Sequence, residues 1–221
     1  MRQIFENELN EIRSNISELM KMVNVAINQA SDSLLEADAS KAQKVIENDK
    51  KINQLGTSIS EACIQSLALQ QPVASDLRLL VGILHICDSL ERMADFAVHI
   101  SEYTLSTYPE KVFTEDFNND IVKLSQNSNK ISQQILQLYR DKDISLLDKI
   151  IETDNLTNKI YAKINKQARD TEFKGTYKNA VDLVLIVRFY ERFGDHAIAV
   201  GRQYIYIITG QYSLENLDQN L

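Results

Sequence analysis

Apolar residues recur along the chain at intervals of three and four, the spacing that one face of an α-helix produces. In the segment that ends near Thr107 this spacing continues over seven positions: Leu79, Ile83, Ile86, Leu90, Met93, Ala97 and Ile100. A seam of this length predicts a long helix of the kind found in coiled coils and helix bundles. The chain has only 6 glycines and 2 prolines, so few breaks interrupt such patterns.

Polar, proline-containing and glycine-containing stretches divide the chain into six segments. The predicted helices, each about 40–50 Å long at a rise of 1.5 Å per residue, are Arg2–Glu36, Ala39–Leu69, Pro72–Thr107, Thr114–Arg140, Asp143–Asp170 and Thr176–Thr209. We place Pro72 at a helix start because its missing N–H has no intrahelical partner there. The fourth segment is the most polar, and we expect it to be the more exposed.

The sequence pattern of the third helix recurs in the sixth, and that of the second recurs in the fifth. Adding 100 to each residue number of the seam described above gives Asn179, Leu183, Ile186, Tyr190, Phe193, Ala197 and Val200. The second and fifth helices correspond at an offset of 105, which pairs Asp38 with Asp143, Glu47 with Glu152, Asp49 with Asp154 and Asn53 with Asn158. Agreement at two separate places predicts a duplicated unit. The predicted fold is all-α, with two tandem, pseudo-symmetric three-helix bundles, residues 1–109 and 110–221.

Composition and charge narrow the function classes. The net charge of −7 argues against a nucleic-acid partner, since no basic surface is available to bind phosphates. The N-terminal stretch is charged and lacks the apolar core of a signal peptide, and no apolar run approaches the roughly 20 residues that span a bilayer. Cys63 and Cys87 form no C-x-x-C motif and are expected to be buried. We therefore expect a cytoplasmic protein that reaches a membrane only through a partner.

A ridge of carboxylates runs along the third helix, apart from its apolar seam. At 100° per residue, Asp88, Glu91 and Asp95 fall within an arc of about 60°. Glu102 lies in the same arc and His99 lies at its edge. The sixth helix repeats the central pair of this ridge as Glu191 and Asp195, and Asp49, Asn53, Asp154 and Asn158 are positioned to complete a site from the second and fifth helices.

Carboxylates four residues apart on a helix repel each other unless something neutralises them. A cation is one solution, because carboxylate oxygens with an occasional imidazole suit magnesium, manganese, iron or zinc. Ordinary surface ion pairs with Arg92 and Arg192 are the other. The spacing alone leaves both interpretations open.

Motifs that would indicate an enzyme are missing from the sequence. The chain contains no E-x-x-H, H-E-x-x-H, G-x-S-x-G or P-loop motif. His196 directly follows Asp195, so the two side chains cannot share one face of a helix. Because nothing organises a nucleophile, we do not expect catalysis.

The residues around the carboxylate ridges resemble a known family. The stretch LALQQPVASDLR (67–78) followed by DSLERMADFAVHI (88–100) is similar to the signature region of the PhoU family, the phosphate-specific transport system accessory proteins. YERFGDHAIAVG (190–201) resembles the second copy of that region. The similarity also includes the paired IENDKKIN and IETDNLTN stretches and extends over nearly the whole chain.

This resemblance implies a negative regulator of phosphate homeostasis. Members act with the Pst phosphate ABC transporter and, in many bacteria, with a PhoR-type sensor histidine kinase. They restrain phosphate uptake and the starvation response when phosphate is plentiful, and they commonly form homodimers. The resemblance also implies divalent or trivalent metal ions, namely iron, zinc, manganese or magnesium, on the E-x-x-x-D faces. The alternative to a metal-binding adaptor is a metal-dependent phosphohydrolase that uses the clustered carboxylates.

The family's metal ligands can be carried over to matching positions of this chain. The implied ligands are Asp49, Asp88, Glu91 and Asp95 in the first half and Asp154, Glu191 and Asp195 in the second half, with Asn53, His99 and Asn158 as possible accessory ligands. The second copy departs from the first, because Arg188 replaces the counterpart of Asp88 and Ala199 replaces the counterpart of His99. We therefore predict that the first half binds metal more tightly.

Overall fold

The computed structural model describes residues 2–170 and 173–211, and within these residues the chain forms helices and no strands. The α-helices are α1 (Arg2–Glu36), α2 (Ala39–Gln70), α3 (Ala74–Thr107), α4 (Asn118–Asp141), α5 (Leu146–Ala168) and α6 (Tyr177–Thr209). A short 3₁₀ turn, Glu115–Phe117, precedes α4. The all-α prediction with six long helices is confirmed.

The ends of the helices follow local capping chemistry. The Asp38 carboxylate accepts a hydrogen bond of 3.0 Å from the backbone N–H of Lys41 and so caps α2. Thr176 and Asn179 form a reciprocal capping box at the start of α6. The prediction that α3 begins at Pro72 is wrong by two residues, because Gln71 closes α2 in the left-handed conformation and the chain turns through 71–73.

Each half of the chain forms a three-helix bundle, and the two bundles share a long interface. Helix α2 packs on α1 and α3, and α5 packs on α4 and α6. Between the halves, α3 packs along α6 and α1 packs along α4. Gly82 near the start of α3 lies against Ile207 near the end of α6. Tyr103 near the end of α3 packs against Phe189 of α6, with the two rings tilted by 45°, so α3 and α6 are antiparallel.

The predicted apolar seams form the core. All seven seam positions of α3 are buried, and so are their counterparts in α6 except Asn179, which caps the helix. Cys63 and Cys87 are fully buried free thiols, as expected, and burial raises the pKa of the Cys63 thiol to about 11. No helix among the described residues is both long and apolar enough to cross a membrane.

The expectation that α4 would be the exposed helix is wrong. This helix packs against α1, α5 and α6, and its polar side chains lie in those contacts. Asn24 of α1 donates a hydrogen bond of 2.5 Å to Ser132, and Asn28 donates one of 3.2 Å to Asn129. Polar residues can be buried at little cost when partners on a neighbouring helix satisfy them, so polarity alone was a poor guide to exposure.

Candidate metal sites

The first candidate site lies where α2 packs against α3. Asp49 of α2 lies close enough to Asp95 of α3 for the two charges to interact, and the same holds for Asp49 and Glu91. Asn53 donates a hydrogen bond of 2.7 Å from its side-chain nitrogen to Asp49 Oδ2. The packing therefore unites residues from two separate sequence motifs, and we call this set the first-half cluster: Asp49, Asn53, Asp88, Glu91, Asp95 and His99.

The protein does not fully neutralise the acids of the first-half cluster. Burial raises the pKa of Glu91, and the nearby charges of Asp88 and Asp95 raise it further. Burial is also the largest cause of the raised pKa of Asp49, with a smaller contribution from Asp95. Asp49 Oδ1 is buried without a hydrogen-bond partner. A buried carboxylate oxygen without a donor costs free energy, and a bound cation would remove that cost.

A glycine allows one of these carboxylates to approach the neighbouring helix closely. The Glu91 carboxylate lies directly against Gly56, a buried residue in the interior of α2. A Cβ atom at position 56 would fall 3.0 Å from Glu91 Cδ and closer still to Oε1. The carboxylate motifs in the sequence do not indicate Gly56, although a glycine inside a long helical pattern is a signal that the sequence contains.

The second candidate site repeats this arrangement where α5 packs against α6. Asp154 is 3% exposed and lies beside Asp195 and Glu191 of α6. Asn158 donates a hydrogen bond of 2.8 Å to Asp154 Oδ2, the counterpart of the bond between Asn53 and Asp49. We call this set the second-half cluster: Asp154, Asn158, Glu191 and Asp195.

Burial affects Asp154 more than any other acid described for the two clusters. It is the main reason that the pKa of Asp154 rises to about 6, and the charge of Asp195 adds to it. Asp154 Oδ1, Asn158 Oδ1 and Glu191 Oε2 are all buried without hydrogen-bond partners. Gly194 of α6 makes room for Asp154, since a Cβ there would fall 3.0 Å from Asp154 Cγ.

An arginine distinguishes the second-half cluster from the first. Arg188 Nη1 forms an ion pair with Glu191 Oε1, and its guanidinium lies 5.6 Å from the centroid of the Tyr161 ring. Tyr161 is the counterpart of Gly56 at the offset of 105 that relates α5 to α2. Arg188 thus supplies a positive charge inside the cluster, at the position where the first half has Asp88.

The outer members of the first-half cluster face solvent and contact residues on their own helix. Asp88 is exposed, and Arg92 donates a hydrogen bond of 3.2 Å to Asp95 Oδ2. His99 Nδ1 lies 3.0 Å from Glu102 Oε2, and its ring packs on Phe189 of α6, 5.1 Å away. The accessory role predicted for His99 therefore competes with two contacts outside the cluster.

The acids are gathered but are not arranged as a preformed coordination sphere. Across 2–170 and 173–211, no three His, Cys, Asp or Glu side chains converge closely enough to hold a metal ion. The carboxylates instead bond pairwise to Asn53, Asn158, Arg92 and Arg188. The chemistry of the residues nonetheless suits a metal ion, because the buried carboxylate oxygens without hydrogen-bond partners are hard donors.

Comparison with known proteins identifies the family. The profile of the PhoU domain matches the chain twice, over residues 16–104 and 121–203. The chain belongs to the PhoU family. The two matches contain the first-half and second-half clusters respectively, and the resemblance inferred from the sequence is confirmed. The predicted boundary between residues 109 and 110 stays a prediction.

Relatives of the same length support this assignment to the PhoU family. The chain is 29% identical to the phosphate-specific transport system accessory protein PhoU homolog 1 of Mycobacterium leprae, over 96% of each sequence. It is 32% identical to the PhoU homolog of Aquifex aeolicus, over 92% of each.

Two solved structures share the fold. The crystal structure of PhoU from Pseudomonas aeruginosa superposes with a TM-score of 0.81 at 26% identity, covering 94% of this chain and 100% of that one. The phosphate transport system regulatory protein PhoU from Streptococcus pneumoniae gives a TM-score of 0.85 at 24% identity, covering 95% and 99%. The arrangement of two three-helix bundles is therefore the fold of these proteins.

Proposed function

We propose that this PhoU-family chain is an accessory regulator of a phosphate-specific transport system. The observation that carries the proposal is the double match of the PhoU domain across both halves, together with relatives of similar length that are named phosphate-specific transport system accessory proteins. In this proposal the protein acts at the cytoplasmic side of the membrane. It restrains uptake by a Pst-type ABC transporter and phosphate-starvation signalling through a sensor histidine kinase when phosphate is plentiful.

We further propose that the two clusters bind metal ions. Asp49, Glu91 and Asp95 would hold the first ion or ions, and Asp88 would stand at the solvent edge. Asp154, Glu191 and Asp195 would hold the second. Buried oxygens without donors in both clusters support this assignment, and their chemistry suits iron, zinc, manganese or magnesium. The metal would supply positive charge that draws the two helices of each pair together.

An adaptor role suits the placement of the clusters better than a hydrolase role. Two of the acids, Asp88 and Asp195, are exposed on the surface of long helices. The groups that contact them are carboxamides and arginines bonded to the acids themselves, so no side chain there is organised as a nucleophile. A charged, metal-bearing face on a rigid bundle is suited to docking a transporter ATPase or a kinase, and we propose that the protein does so as a homodimer.

The test is affinity capture from cells grown in high or low phosphate. The tagged wild-type protein is expected to recover the transporter ATPase, the sensor kinase or both, with more recovery in high phosphate. The combined variant Glu91→Ala/Asp95→Ala should recover less, whereas Glu18→Ala, at an exposed acid of α1, serves as the matched control. Recovery of neither partner under both conditions would contradict the adaptor proposal.

A second assay addresses the enzymatic alternative. The metal-loaded protein is incubated with a phosphomonoester, and release of inorganic phosphate is measured. We expect no turnover above the protein-free control. Clear turnover that Asp95→Ala abolishes would replace the adaptor proposal with a metal-dependent phosphohydrolase.

A further inference from the structure

Two of the glycines within long helices lie near the middle of their helix, where glycine weakens a helix relative to alanine. Gly56 occupies the middle of α2, and Gly194 occupies the middle of α6. Both are buried, and neither has the positive φ angle that would require a glycine. Their backbone conformation therefore does not explain them.

What they share is a carboxylate from the neighbouring helix lying against the backbone. Glu91 of α3 contacts Gly56, and Asp154 of α5 contacts Gly194. A Cβ at either position would fall 3.0 Å from the carboxyl carbon and closer to one oxygen, whereas ordinary contacts of a Cβ are 3.4–4 Å. The carboxylate occupies the space that a side chain at the glycine position would fill.

The helices that carry the glycine and the carboxylate are exchanged between the two halves. In the first half the glycine is on the outer helix α2 and the carboxylate is on α3. In the second half the glycine is on the inner helix α6 and the carboxylate is on α5. The duplication counterparts of the two glycines are Tyr161 and Ala94, so neither glycine is a copy of the other. Each half has a glycine in contact with one carboxylate of its own cluster.

We propose that Gly56 and Gly194 are positioning residues for the two metal sites. Each glycine lets one carboxylate sit against the opposite helix, so that it faces the acids of its cluster and not the solvent. The proposal rests on the metal binding proposed above. These two glycines differ from glycines needed for helix packing. A Cβ at either position would displace the movable end of a carboxylate side chain and not a packed core group.

The test measures metal affinity and metal-free stability in the same full-length variants. Mn²⁺ and Zn²⁺ are titrated separately by calorimetry, and each half is studied with the other silenced by Glu191→Ala or Glu91→Ala. Gly56→Ala should weaken binding in the first half, and Gly194→Ala in the second, each by about 10- to 100-fold, the range seen when the groups that orient metal ligands are altered.

Stability in chelator distinguishes positioning from packing. The melting temperature of both variants should stay level or rise by about 2 °C, because alanine is the better helix former. Gly201→Ala is the matched control in α6, since its Cβ would meet Leu147 and no carboxylate. It should leave both affinities unchanged. In the Glu91→Ala background, Gly56→Ala should have no further effect on first-half metal content.

Three results would contradict the positioning role of the glycines. Wild-type protein that binds neither ion would overturn both the metal proposal and the positioning role. Wild-type binding that persists unchanged in Gly56→Ala and Gly194→Ala would overturn the positioning role alone. Lost binding accompanied by a lower melting temperature would identify the glycines as packing residues and would also overturn it.

Discussion

The two candidate sites have the same helical framework but different charge balances. The first-half cluster contains four acids, Asp49 of α2 and Asp88, Glu91 and Asp95 of α3, and the exposed Arg92 of α3 bonds to Asp95. In the second-half cluster an arginine stands in place of the fourth acid and forms an ion pair with Glu191. The two halves thus share the geometry and differ in how much negative charge remains for a ligand.

Two residues of the second half that differ from their first-half counterparts, Arg188 and Tyr161, contact each other. Arg188 needs a surface to lie on, and Tyr161 supplies one with its ring. The first half has Gly56 at the position of Tyr161, and there the Glu91 carboxylate fills the space. Position 56 in the first half therefore makes room for a carboxylate, whereas the equivalent position 161 in the second half contacts a cation. This difference predicts that the two sites respond unequally to the same changes.

The largest expected effect comes from removing the central glutamate of each cluster. Glu91→Ala should lower the affinity for the first metal ion by at least about 100-fold, because a ligand is lost from the more acidic cluster. Glu191→Ala should leave that first binding event nearly intact. Metal content after dialysis against limiting Mn²⁺ measures both. Equal losses in the two variants would contradict the predicted asymmetry.

The second comparison concerns the buried aspartates in metal-free protein. The folded-state pKa of Asp154 is about 6, above its usual value of 3.8, because burial penalises the charged form. Well above pH 6 the folded protein carries the full cost of that charge, on the order of 3 kcal/mol. As the pH falls from 6 to 4, the folded state takes up a proton that the unfolded state lacks, and the cost disappears.

Asp154→Asn should therefore raise the free energy of unfolding by about 3 kcal/mol at pH 7.5 in chelator, with little gain at pH 4. Urea denaturation at the two pH values measures the difference. Asp49→Asn should give a smaller gain, since Asp49 is only half-buried, and Glu152→Gln, at an exposed acid of α5 outside both clusters, serves as the control. A gain for Asp154→Asn that does not depend on pH would contradict the assignment.

The third comparison converts one half toward the other. Arg188→Asp restores the first-half residue in α6 and removes the cation that competes for Glu191. Mn²⁺ affinity in the second half should rise by about 10-fold, measured calorimetrically in a Glu91→Ala background. Arg192→Asp, an exposed position one turn along the same helix, is the control for net charge. A similar rise in both variants would show that overall charge, and not the ion pair with Glu191, limits binding.

The smallest expected effect comes from the exposed arginine of the first half. The side chain of Arg92 is 67% exposed, so Arg92→Ala should change the free energy of unfolding by less than about 0.5 kcal/mol. Arg188→Ala should cost about 1–2 kcal/mol, because it leaves a Glu191 side chain that is only 13% exposed without its cation. Urea denaturation at neutral pH compares the two, and equal costs would remove the proposed structural role of Arg188.

Much of the fold could be predicted from the sequence, because helical periodicity and capping are local properties. The seam from Leu79 to Ile100 predicted a buried helix, and every seam position is buried. The duplication was also visible, since the offsets of 100 and 105 bring like residues together. The exposure predicted for α4 was wrong because its polar residues bond to α1, a contact between helices that no local pattern reports.

The sequence likewise predicted only part of each candidate site. The sequence by itself determined that Glu91 and Asp95 share a ridge, that Glu191 and Asp195 repeat it, and that Arg188 breaks the symmetry. These facts depend only on spacing along one helix.

Only the tertiary structure decided which neighbours the acids meet across the helix pairs. The contact of Glu91 with Gly56, the stacking of Arg188 on Tyr161 and the deep burial of Asp154 all depend on how α2 meets α3 and how α5 meets α6. Burial and charge coupling act through space between helices distant in sequence. They therefore emerge only when the bundle is assembled.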